Sequence, residues 1–338
     1  MANLVISTIC NQNCVYCFTV DHVEQNRVGG LPVTEQRFLE VSRFEERLSF
    51  LARSNVDEVR LLGGEPTLHP QFVELVERAR MAGKEVKVFT NGLMPQSALA
   101  FLEAIPVQEC TVVVNVNEPD AVGDGQTYQR QLDTIRRLGK RATLGFTIYR
   151  TDFRPEFLLD LIAATGCTPI IRLGMAQPCL SGANRYLHPG QYRAVAVKIT
   201  RFARLAAEAG VSLGFDCGFV RCVFSDADLE TLQKAQADVG WRCSPILDVD
   251  VEGNVIHCYP LARLTSLPLT PMADASGLRS ALEARTRPYR QSGVFPECSA
   301  CTLKLAGECP GGCLAMTIRR FRRTPFRLAI PGEWERAA

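Results

Sequence analysis

The chain has 338 residues, of which 46% are hydrophobic and 22% charged, so it can bury a core and is not disordered by composition. A chain of this length forms one large domain or two modest ones. The formal net charge of +2 excludes a globally basic nucleic-acid binder and gives no reason to expect a membrane-surface protein. No apolar run reaches the roughly 18 residues that span a bilayer, and the first residues lack the pattern of a signal peptide.

Residues 1–185 alternate between two sequence patterns. Six short runs rich in valine, isoleucine and leucine are typical of buried parallel strands: Leu4–Ser7, Glu58–Leu62, Glu85–Phe89, Thr111–Asn115, Thr143–Ile148 and Pro169–Leu173. Five segments between them predict helices: Glu35–Arg53, Pro70–Ala82, Gln96–Ile105, Gln126–Leu138 and Pro155–Thr165. This alternation predicts an α/β fold with a parallel sheet, either barrel-like or doubly wound, with its working face at the carboxyl ends of the strands.

The pattern changes after one more helix, which is predicted over Pro189–Ala209. Beyond Gly210 we expect the alternation of strands and helices to stop, and eight of the 14 cysteines fall between Cys217 and Cys313. The chain should therefore divide into an α/β domain over residues 1–185, a bridging helix over residues 186–215, a smaller cysteine-rich domain over residues 216–325 and a tail over residues 326–338.

Cysteine is the most informative residue type, because 14 cysteines accompany only four histidines. A chain without an export signal is expected to stay in the cytoplasm, where thiols remain reduced and clustered cysteines more often bind metal than form disulfides. Cys110, Cys167 and Cys179 stand alone. The first two flank strands and should be buried apolar residues, whereas Cys179 should lie in a loop near the working face.

The segment Cys10-x3-Cys14-x2-Cys17 follows the first predicted strand directly. Three thiolates at this spacing can bind three irons of a [4Fe–4S] cluster, which leaves the fourth iron open to an exogenous ligand. The alternative is a zinc site, but zinc usually needs a fourth cysteine or histidine nearby, and His22 lies off the usual spacing.

This loop, with an aromatic residue before its third cysteine, resembles the cluster loop of radical SAM enzymes. The turn Gly63-Gly64-Glu65-Pro66-Thr67 after the second strand and the segment Phe89–Gly92 after the third resemble further elements of that superfamily. There the glycine-rich turn receives the amino group of S-adenosylmethionine (SAM), since glycines let backbone carbonyls approach an ammonium group. The resemblance implies that Glu65 adds a carboxylate, and that residues 1–185 form a partial (β/α)6 TIM-like barrel.

The same resemblance implies further SAM contacts. A polar residue after the fourth strand and a basic residue on the next helix usually contact the methionyl carboxylate and the ribose, and the best matches are Asn115, Asn117 and Arg130. The backbone around Leu173 and Met175 should lie along the adenine. In the alternative interpretation, Asn117 caps a turn and Arg130 forms a pair on a helix surface.

The C-terminal cysteines resemble a SPASM extension, which holds auxiliary iron–sulfur clusters in a subgroup of radical SAM enzymes. Their pattern is Cys243-x9-Gly253-x4-Cys258 followed by Cys298-x2-Cys301-x7-Cys309-x3-Cys313. The residues around Glu252-Gly253-Asn254 predict a hairpin that brings Cys243 and Cys258 to one site. The family's interleaving implies one cluster on Cys243, Cys258 and Cys313, and another on Cys298, Cys301 and Cys309.

The pattern departs from the family in two ways. Cys301 and Cys309 are separated by seven residues where the family has five, and no cysteine follows Cys313. Cys217 and Cys222 lie upstream, and one of them could complete the first auxiliary cluster while the other replaces the missing distal ligand or leaves an iron open. Alternatively, Cys217, Cys222, Cys243 and Cys258 form one complete set. A structural zinc in the CxxC group is a further alternative.

The resemblance implies an oxidoreductase that reductively cleaves SAM to a 5′-deoxyadenosyl radical, abstracts hydrogen from an unactivated C–H bond, and oxidises or cross-links a peptide side chain. Some relatives act instead on a small sugar, amino acid or nucleoside. Asp216, Tyr259 and Glu118 are possible acid/base groups, but the sequence places none of them near substrate. The expected electron donor is a flavodoxin- or ferredoxin-type protein. Because the cluster cysteines begin at residue 10, a peptide substrate would need either a stand-alone peptide-recognition protein or direct binding by the barrel.

Two other classes remain open at this level. An electron carrier would use the clusters without SAM, but it would have no need for the glycine-rich turn. A zinc-dependent nucleic-acid-binding module is disfavoured by the near-neutral charge and by the scarcity of histidine.

Overall fold

Ten strands form one sheet in the computed structural model, which describes residues 2–19, 37–121, 125–180, 184–262 and 264–322. The order across the sheet is β10-β9-β8-β1-β2-β3-β4-β5-β6-β7, and β1 to β7 are parallel. These seven strands are β1 Ala2–Ser7, β2 Glu58–Gly63, β3 Glu85–Thr90, β4 Cys110–Val116, β5 Ala142–Ile148, β6 Ile170–Met175 and β7 Ser212–Phe215. Six of them match the predicted strands.

A helix follows each of the first six strands. The helices are α1 Val41–Arg53, α2 Phe72–Met81, α3 Gln96–Ala104, α4 Gly125–Leu138, α5 Phe157–Thr165 and α6 Tyr192–Glu208. The strand residues on the helix side are fully buried, as Val59 and Leu61 are in β2, while alternate residues such as Arg60 are only partly buried. The strands therefore have an apolar outer face under the helices and a more polar inner face, as in an open barrel.

The first helix begins later than the sequence predicts. Residues 35 and 36 of the predicted helix lie outside the described residues, and Arg37–Leu39 pairs with the end of β1 instead of forming a helical turn. Thr8 N donates to Arg37 O, and Leu39 N donates to Ile6 O. These bonds satisfy the end of β1, and the helix starts at Val41.

The alternation also continues one strand further than expected, because Ser212–Phe215 adds to the sheet as β7, parallel to β6. The C-terminal region then returns to the opposite edge of the barrel strands. Its first strand, β8 (Asp248–Val249), pairs with β1, and the predicted hairpin is confirmed by the antiparallel pairing of β8 with β9 (Asn254–Ile256). Strand β10 (Ser266–Pro268) follows. The remaining helices are α7 Asp226–Lys234, α8 Ala275–Thr286, α9 Thr302–Leu305 and α10 Leu314–Arg322.

Buried polar contacts fasten the C-terminal region to the barrel. Asn3 Nδ2 donates to Asp248 Oδ1 at 2.6 Å, beside the pairing of β1 with β8. Arg47 of α1 is 2% exposed, and its Nη2 donates to Val251 O at 3.0 Å. One sheet thus crosses the expected boundary between the domains. The predicted tail over residues 326–338 lies outside the described residues. Among the described helices, none is long and apolar enough to cross a membrane.

Asp248 should make stability depend on pH. Burial raises the pKa of this carboxyl to about 7, so the folded state prefers it protonated. The stabilisation by the neutral form is complete below the ordinary carboxyl pKa and is lost as pH rises through about 7, by roughly 2–4 kcal/mol. Relative to Asp248→Asn, the wild type should lose urea stability between pH 4 and 8 under anaerobic conditions. Parallel pH profiles for the two proteins would contradict this account of Asp248.

Candidate functional site

The three cysteines of the first loop lie close together, immediately after β1. Cys17 N donates to Cys14 O at 3.1 Å, and Gln12 N donates to Cys10 Sγ at 3.4 Å, so the backbone winds tightly around the thiols. Burial raises the pKa of Cys10 to about 12 and that of Cys14 to about 11. These values include the effects of the neighbouring thiolates and, for Cys10, of the carboxylate of Glu65, which also raise the pKa. A bound cation would relieve this repulsion.

The donor set fits an iron–sulfur cluster better than a single ion. None of the three thiols is in a disulfide bond. In the described part of the chain, no three Cys, His, Asp or Glu side chains converge closely enough to hold one metal ion. The thiolates on a [4Fe–4S] cluster each bind a different iron, so they lie further apart than ligands of one zinc.

The glycine-rich turn is bonded directly to this loop. Gly64 N donates to Ser7 O at 2.8 Å, and Glu65 N donates to Ile9 O at 2.7 Å, one residue before Cys10. A Cβ atom on Gly63 would lie 2.1 Å from Ser7 O, so only glycine allows this approach of β2 to the end of β1. Pro66 then begins a short 3-10 turn. The loop and the turn therefore share one backbone framework.

Glu65 is fully buried and shapes the turn through its carboxylate. Oε1 accepts hydrogen bonds from Thr67 N, Thr67 Oγ1 and Thr90 Oγ1, and Oε2 accepts one from Asn91 N. These bonds join the ends of β2 and β3. Burial raises the pKa of Glu65. The carboxylate thus has four protein donors, and it organises the surroundings of a ligand as well as adding charge beside it.

Asn91 links the third strand to the first loop. Its position depends on Gln131, a residue that the sequence analysis did not single out. Asn91 Nδ2 donates to Asn11 Oδ1 at 2.8 Å, and the Asn91 carbonyl accepts from Gln131 Nε2 at 2.6 Å. Gln131 on α4 is 1% exposed, and its Oε1 has no hydrogen-bond partner among the described residues. The predicted residue Arg130, its neighbour, is exposed. Helix α4 therefore directs Gln131, and not Arg130, toward Asn91.

The two predicted asparagines lie at the end of β4 in different surroundings. Asn117 Oδ1 accepts from Tyr16 OH at 2.5 Å, and the ring of Tyr16 stacks on Tyr149 at 4.9 Å. Since Tyr16 precedes Cys17, this contact attaches Asn117 to the first loop. Asn115 is exposed on the inner face, and its Oδ1 lies 2.3 Å from the point that a Cβ atom on Gly145 would occupy.

The side chains of Leu173 and Met175 are buried, and the backbone of these residues lies at the carboxyl end of β6. Leu173 O accepts from Asp216 N at 2.9 Å, while Gly174 between them is partly exposed. The predicted adenine contact would therefore have to use this backbone and the space beside Gly174.

The three possible acid/base groups differ in their hydrogen bonds and in their exposure to solvent. Glu118 is buried, and it accepts from Arg150 and from Arg154 N. Burial raises the pKa of Tyr259 well above its ordinary value. Asp216 pairs with Arg172 at 2.5 Å but remains about half exposed. Asp216 is thus the most accessible of the three.

The eight C-terminal cysteines fall into two groups of electrostatic neighbours. We call the first the inner group; burial and neighbouring thiolates raise the pKa of Cys217, Cys258 and Cys313, and the group comprises these three and Cys243. We call the second the outer group; it comprises Cys222, Cys298, Cys301 and Cys309. Cys217 is accessible to solvent although protein surrounds it, as expected for a residue that lines an interior space. Cys222 is exposed.

The inner group lies next to the first loop. Phe18 follows Cys17, Tyr259 follows Cys258, and the centroids of the two rings are 6.3 Å apart. The lone cysteines take no part in either group. Cys110 and Cys167 are buried as predicted, and Cys179 is fully buried as well, with its backbone N bonded to Asn184 Oδ1.

The family match covers the barrel region of the chain. Residues 4–153 match the model of the Radical SAM superfamily. An S-adenosylmethionine-dependent nucleotide dehydratase of Thermoplasmatales archaeon (strain ISO4-H5) is 25% identical over 46% of this chain and 56% of that protein. A GTP 3',8-cyclase of Heliobacterium modesticaldum (strain ATCC 51547 / Ice1) is 33% identical over 33% of this chain and 32% of that protein. The chain thus spans about half or less of these relatives.

The likeness to solved structures extends over nearly the whole chain. SuiB of Streptococcus suis bound to S-adenosylmethionine has a TM-score of 0.66 at 17% identity, over 94% of this chain and 74% of that one. Native anSMEcpe with bound AdoMet has a TM-score of 0.65 at 16% identity, over 92% and 88%. Other structures of these two proteins hold the precursor peptide SuiA and a Kp18Cys peptide. Residues 4–153 thus match the Radical SAM superfamily, and nearly the whole chain shares the fold of these solved structures.

Proposed function

We propose that this enzyme is an oxidoreductase that removes hydrogen from an unactivated C–H bond of a peptide side chain, and so oxidises or cross-links that side chain. The observation that carries the proposal is the convergence of three thiols that form no disulfide, Cys10, Cys14 and Cys17, with the Gly63–Glu65 turn and Asn91. The cofactors of this superfamily are a [4Fe–4S] cluster and SAM, which together supply a 5′-deoxyadenosyl radical when bound.

The residues of the chain have separate tasks in this proposal. The three thiols hold the cluster and leave one iron for SAM. The backbone of Gly63 and Gly64 receives the ammonium group, while Glu65 keeps the turn in place. Gln131 holds the Asn91 segment, and Asn115, Asn117 and the backbone of Leu173–Met175 remain the proposed contacts for the rest of SAM.

The inner face of the barrel has room for a polar substrate near these groups. Asn115, Gly145, Arg172 and Gly214 lie in register across four neighbouring strands. A Cβ atom on Gly214 would meet no described atom within 4 Å, so the row is open there. Arg172 lies over the ring of Phe89, 5.0 Å from its centroid. Amide and guanidinium groups in such a row suit the carbonyl and amide groups of a peptide backbone.

Two comparisons bear on the substrate class. The structures that share the fold over more than nine-tenths of this chain include peptide complexes, which supports a peptide substrate. The nucleotide dehydratase and the GTP cyclase match less than half of this chain, and they support the alternative, a small-molecule substrate for the same radical chemistry. We favour the peptide because only the first likeness covers more than nine-tenths of this chain.

The proposal also assigns one cluster to each C-terminal group of cysteines. Phe18 and Tyr259 join the first site to the inner group, and Cys222 of the outer group is exposed. An exposed thiol at the outer group suits electron transfer with a flavodoxin- or ferredoxin-type protein. A stand-alone peptide-recognition protein and a cytoplasmic location complete the proposal.

Replacing the first three ligands should remove one cluster of three. The anaerobic wild type should hold about 12 iron and 12 sulfide per chain, and Cys10→Ala/Cys14→Ala/Cys17→Ala about 8 of each. After dithionite reduction, only the wild type should convert SAM to 5′-deoxyadenosine. Cys167→Ala, which removes a buried lone thiol, is the matched control and should retain iron and activity. Zinc without sulfide in the wild type would contradict the proposal.

Arg130 and Gln131 are adjacent on α4, and replacing each in turn tests which of them supports SAM binding. Gln131→Leu should weaken SAM binding about tenfold, because it leaves the buried carbonyl of Asn91 without its donor. Arg130→Ala should change it less than about twofold, since an exposed side chain usually contributes little. Equilibrium dialysis with radiolabelled SAM measures both. A larger loss in Arg130→Ala would return the contact to the arginine.

A further inference from the structure

Cys222 is the auxiliary cysteine whose role the sequence pattern leaves open, because the family's final cysteine is missing after Cys313. Resting on the proposed auxiliary clusters, we infer that Cys222 is the fourth ligand of the outer cluster, and that Cys217 is the fourth ligand of the inner one. Each auxiliary cluster is then bound by protein at all four irons. Neither then offers an open iron to a substrate.

Packing brings the Cys222 turn against the loop that leads into the CxxC pair. Cys222 lies in the short 3-10 turn Arg221–Val223. A Cβ atom on Gly312 would lie 2.8 Å from Cγ1 of both Val220 and Val294, so these three residues are in close contact. Val294 lies four residues before Cys298.

The same loop is closed around the outer group by tight backbone contacts. Val294 N donates to Gly311 O at 2.9 Å. A Cβ atom on Gly293 would lie 2.6 Å from Cys298 Sγ, so the loop runs directly over that thiol. On the other side, Arg193 Nη1 of α6 donates to Val223 O at 2.7 Å and holds the Cys222 turn in position.

Cys217 and Cys222 lie in different groups although only four residues separate them, and a glycine of unusual backbone conformation lies between them. Gly218 has a φ of +103°, a conformation that side-chain-bearing residues rarely adopt. A Cβ atom there would lie 2.3 Å from Gln177 Nε2, so that side chain would have to move. Cys217 lies near Cys313 and Cys258, while Cys222 lies near Cys298, and both are exposed.

The charges of the thiolates agree with this packing. Besides burial, the thiolates that raise the pKa of Cys222 are Cys298, Cys309 and Cys301. Those that raise the pKa of Cys217 are Cys313 and Cys243. Each upstream cysteine thus has its thiolate neighbours in one group. The alternative set of Cys217, Cys222, Cys243 and Cys258 is not supported by these contacts.

The test asks which cluster gains an open iron when each cysteine is removed. The parent protein is Cys10→Ala/Cys14→Ala/Cys17→Ala, in which the auxiliary clusters alone account for about 8 iron. Potassium ¹³C-cyanide is added to the dithionite-reduced protein, and the ¹³C hyperfine coupling reports an open iron. The parent should show no coupling. Cys222→Ala and Cys217→Ala should each produce a coupling, or should each lose about 4 iron if three ligands do not retain the cluster.

A second background assigns each effect to its cluster. Adding Cys298→Ala/Cys301→Ala should remove the outer cluster and leave about 4 iron. In this protein Cys222→Ala should have no effect on iron content or coupling, whereas Cys217→Ala should still open or remove the remaining cluster. A coupling from Cys222→Ala that persists here would place Cys222 in the inner site. No effect of Cys222→Ala in either background would exclude it as a ligand, and both results overturn the inference.

This test is separate from that of the proposed function. A coupling in the parent protein would mean that an auxiliary iron is already open, which also overturns the inference. Formation of 5′-deoxyadenosine depends on the first site, so its absence from the wild type would contradict the proposed function. The iron contents would still show whether Cys222 is a cluster ligand. Cys167→Ala in the parent serves as the control for the loss of a thiol that binds no cluster.

Discussion

Thiolates that lie close together in a protein interior repel one another, and burial further destabilises their charged form. A positive charge among them offsets both effects. Eleven of the cysteines in this enzyme are placed under that constraint, in one group of three and two groups of four. Burial and neighbouring thiolates together raise the pKa of Cys10, Cys217 and Cys258, and these thiols are free. Iron–sulfur clusters would supply the missing charge, and the surrounding fold provides the geometry to hold them.

The barrel contributes to this geometry through the ends of its strands. The backbone of β1 is bonded both to the Arg37–Leu39 segment and to the glycine-rich turn, so the first loop is supported from two sides. Glu65 joins β2 to β3 with a carboxylate that is fully buried. The C-terminal region attaches to β1 through β8, and the Phe18–Tyr259 contact keeps its inner cysteines beside the first loop. Pairing of strands thus positions cysteines that are far apart in sequence.

Much of this architecture could be predicted from local sequence, and the exceptions depend on tertiary contacts. The parallel strands are apolar runs whose bounds were predicted within two residues, but β7 has only four residues and Arg37–Leu39 pairs with β1 instead of entering a helix. Arg130 suited the chemistry of a carboxylate contact, yet the rotation of α4 directs Gln131 inward. The division of the auxiliary cysteines depends on contacts between segments that are far apart in sequence, which no spacing rule reveals.

The most direct measurement follows hydrogen from substrate to cofactor. Host cells are grown in D₂O, their extract is separated into a peptide fraction and a small-molecule fraction, and each fraction is incubated with reduced enzyme and unlabelled SAM. The account predicts 5′-deoxyadenosine that contains deuterium from the peptide fraction, because the radical takes its hydrogen from a peptide C–H bond. Deuterium from the small-molecule fraction alone would contradict the peptide assignment, and the absence of 5′-deoxyadenosine from cluster-loaded enzyme would contradict the radical chemistry itself.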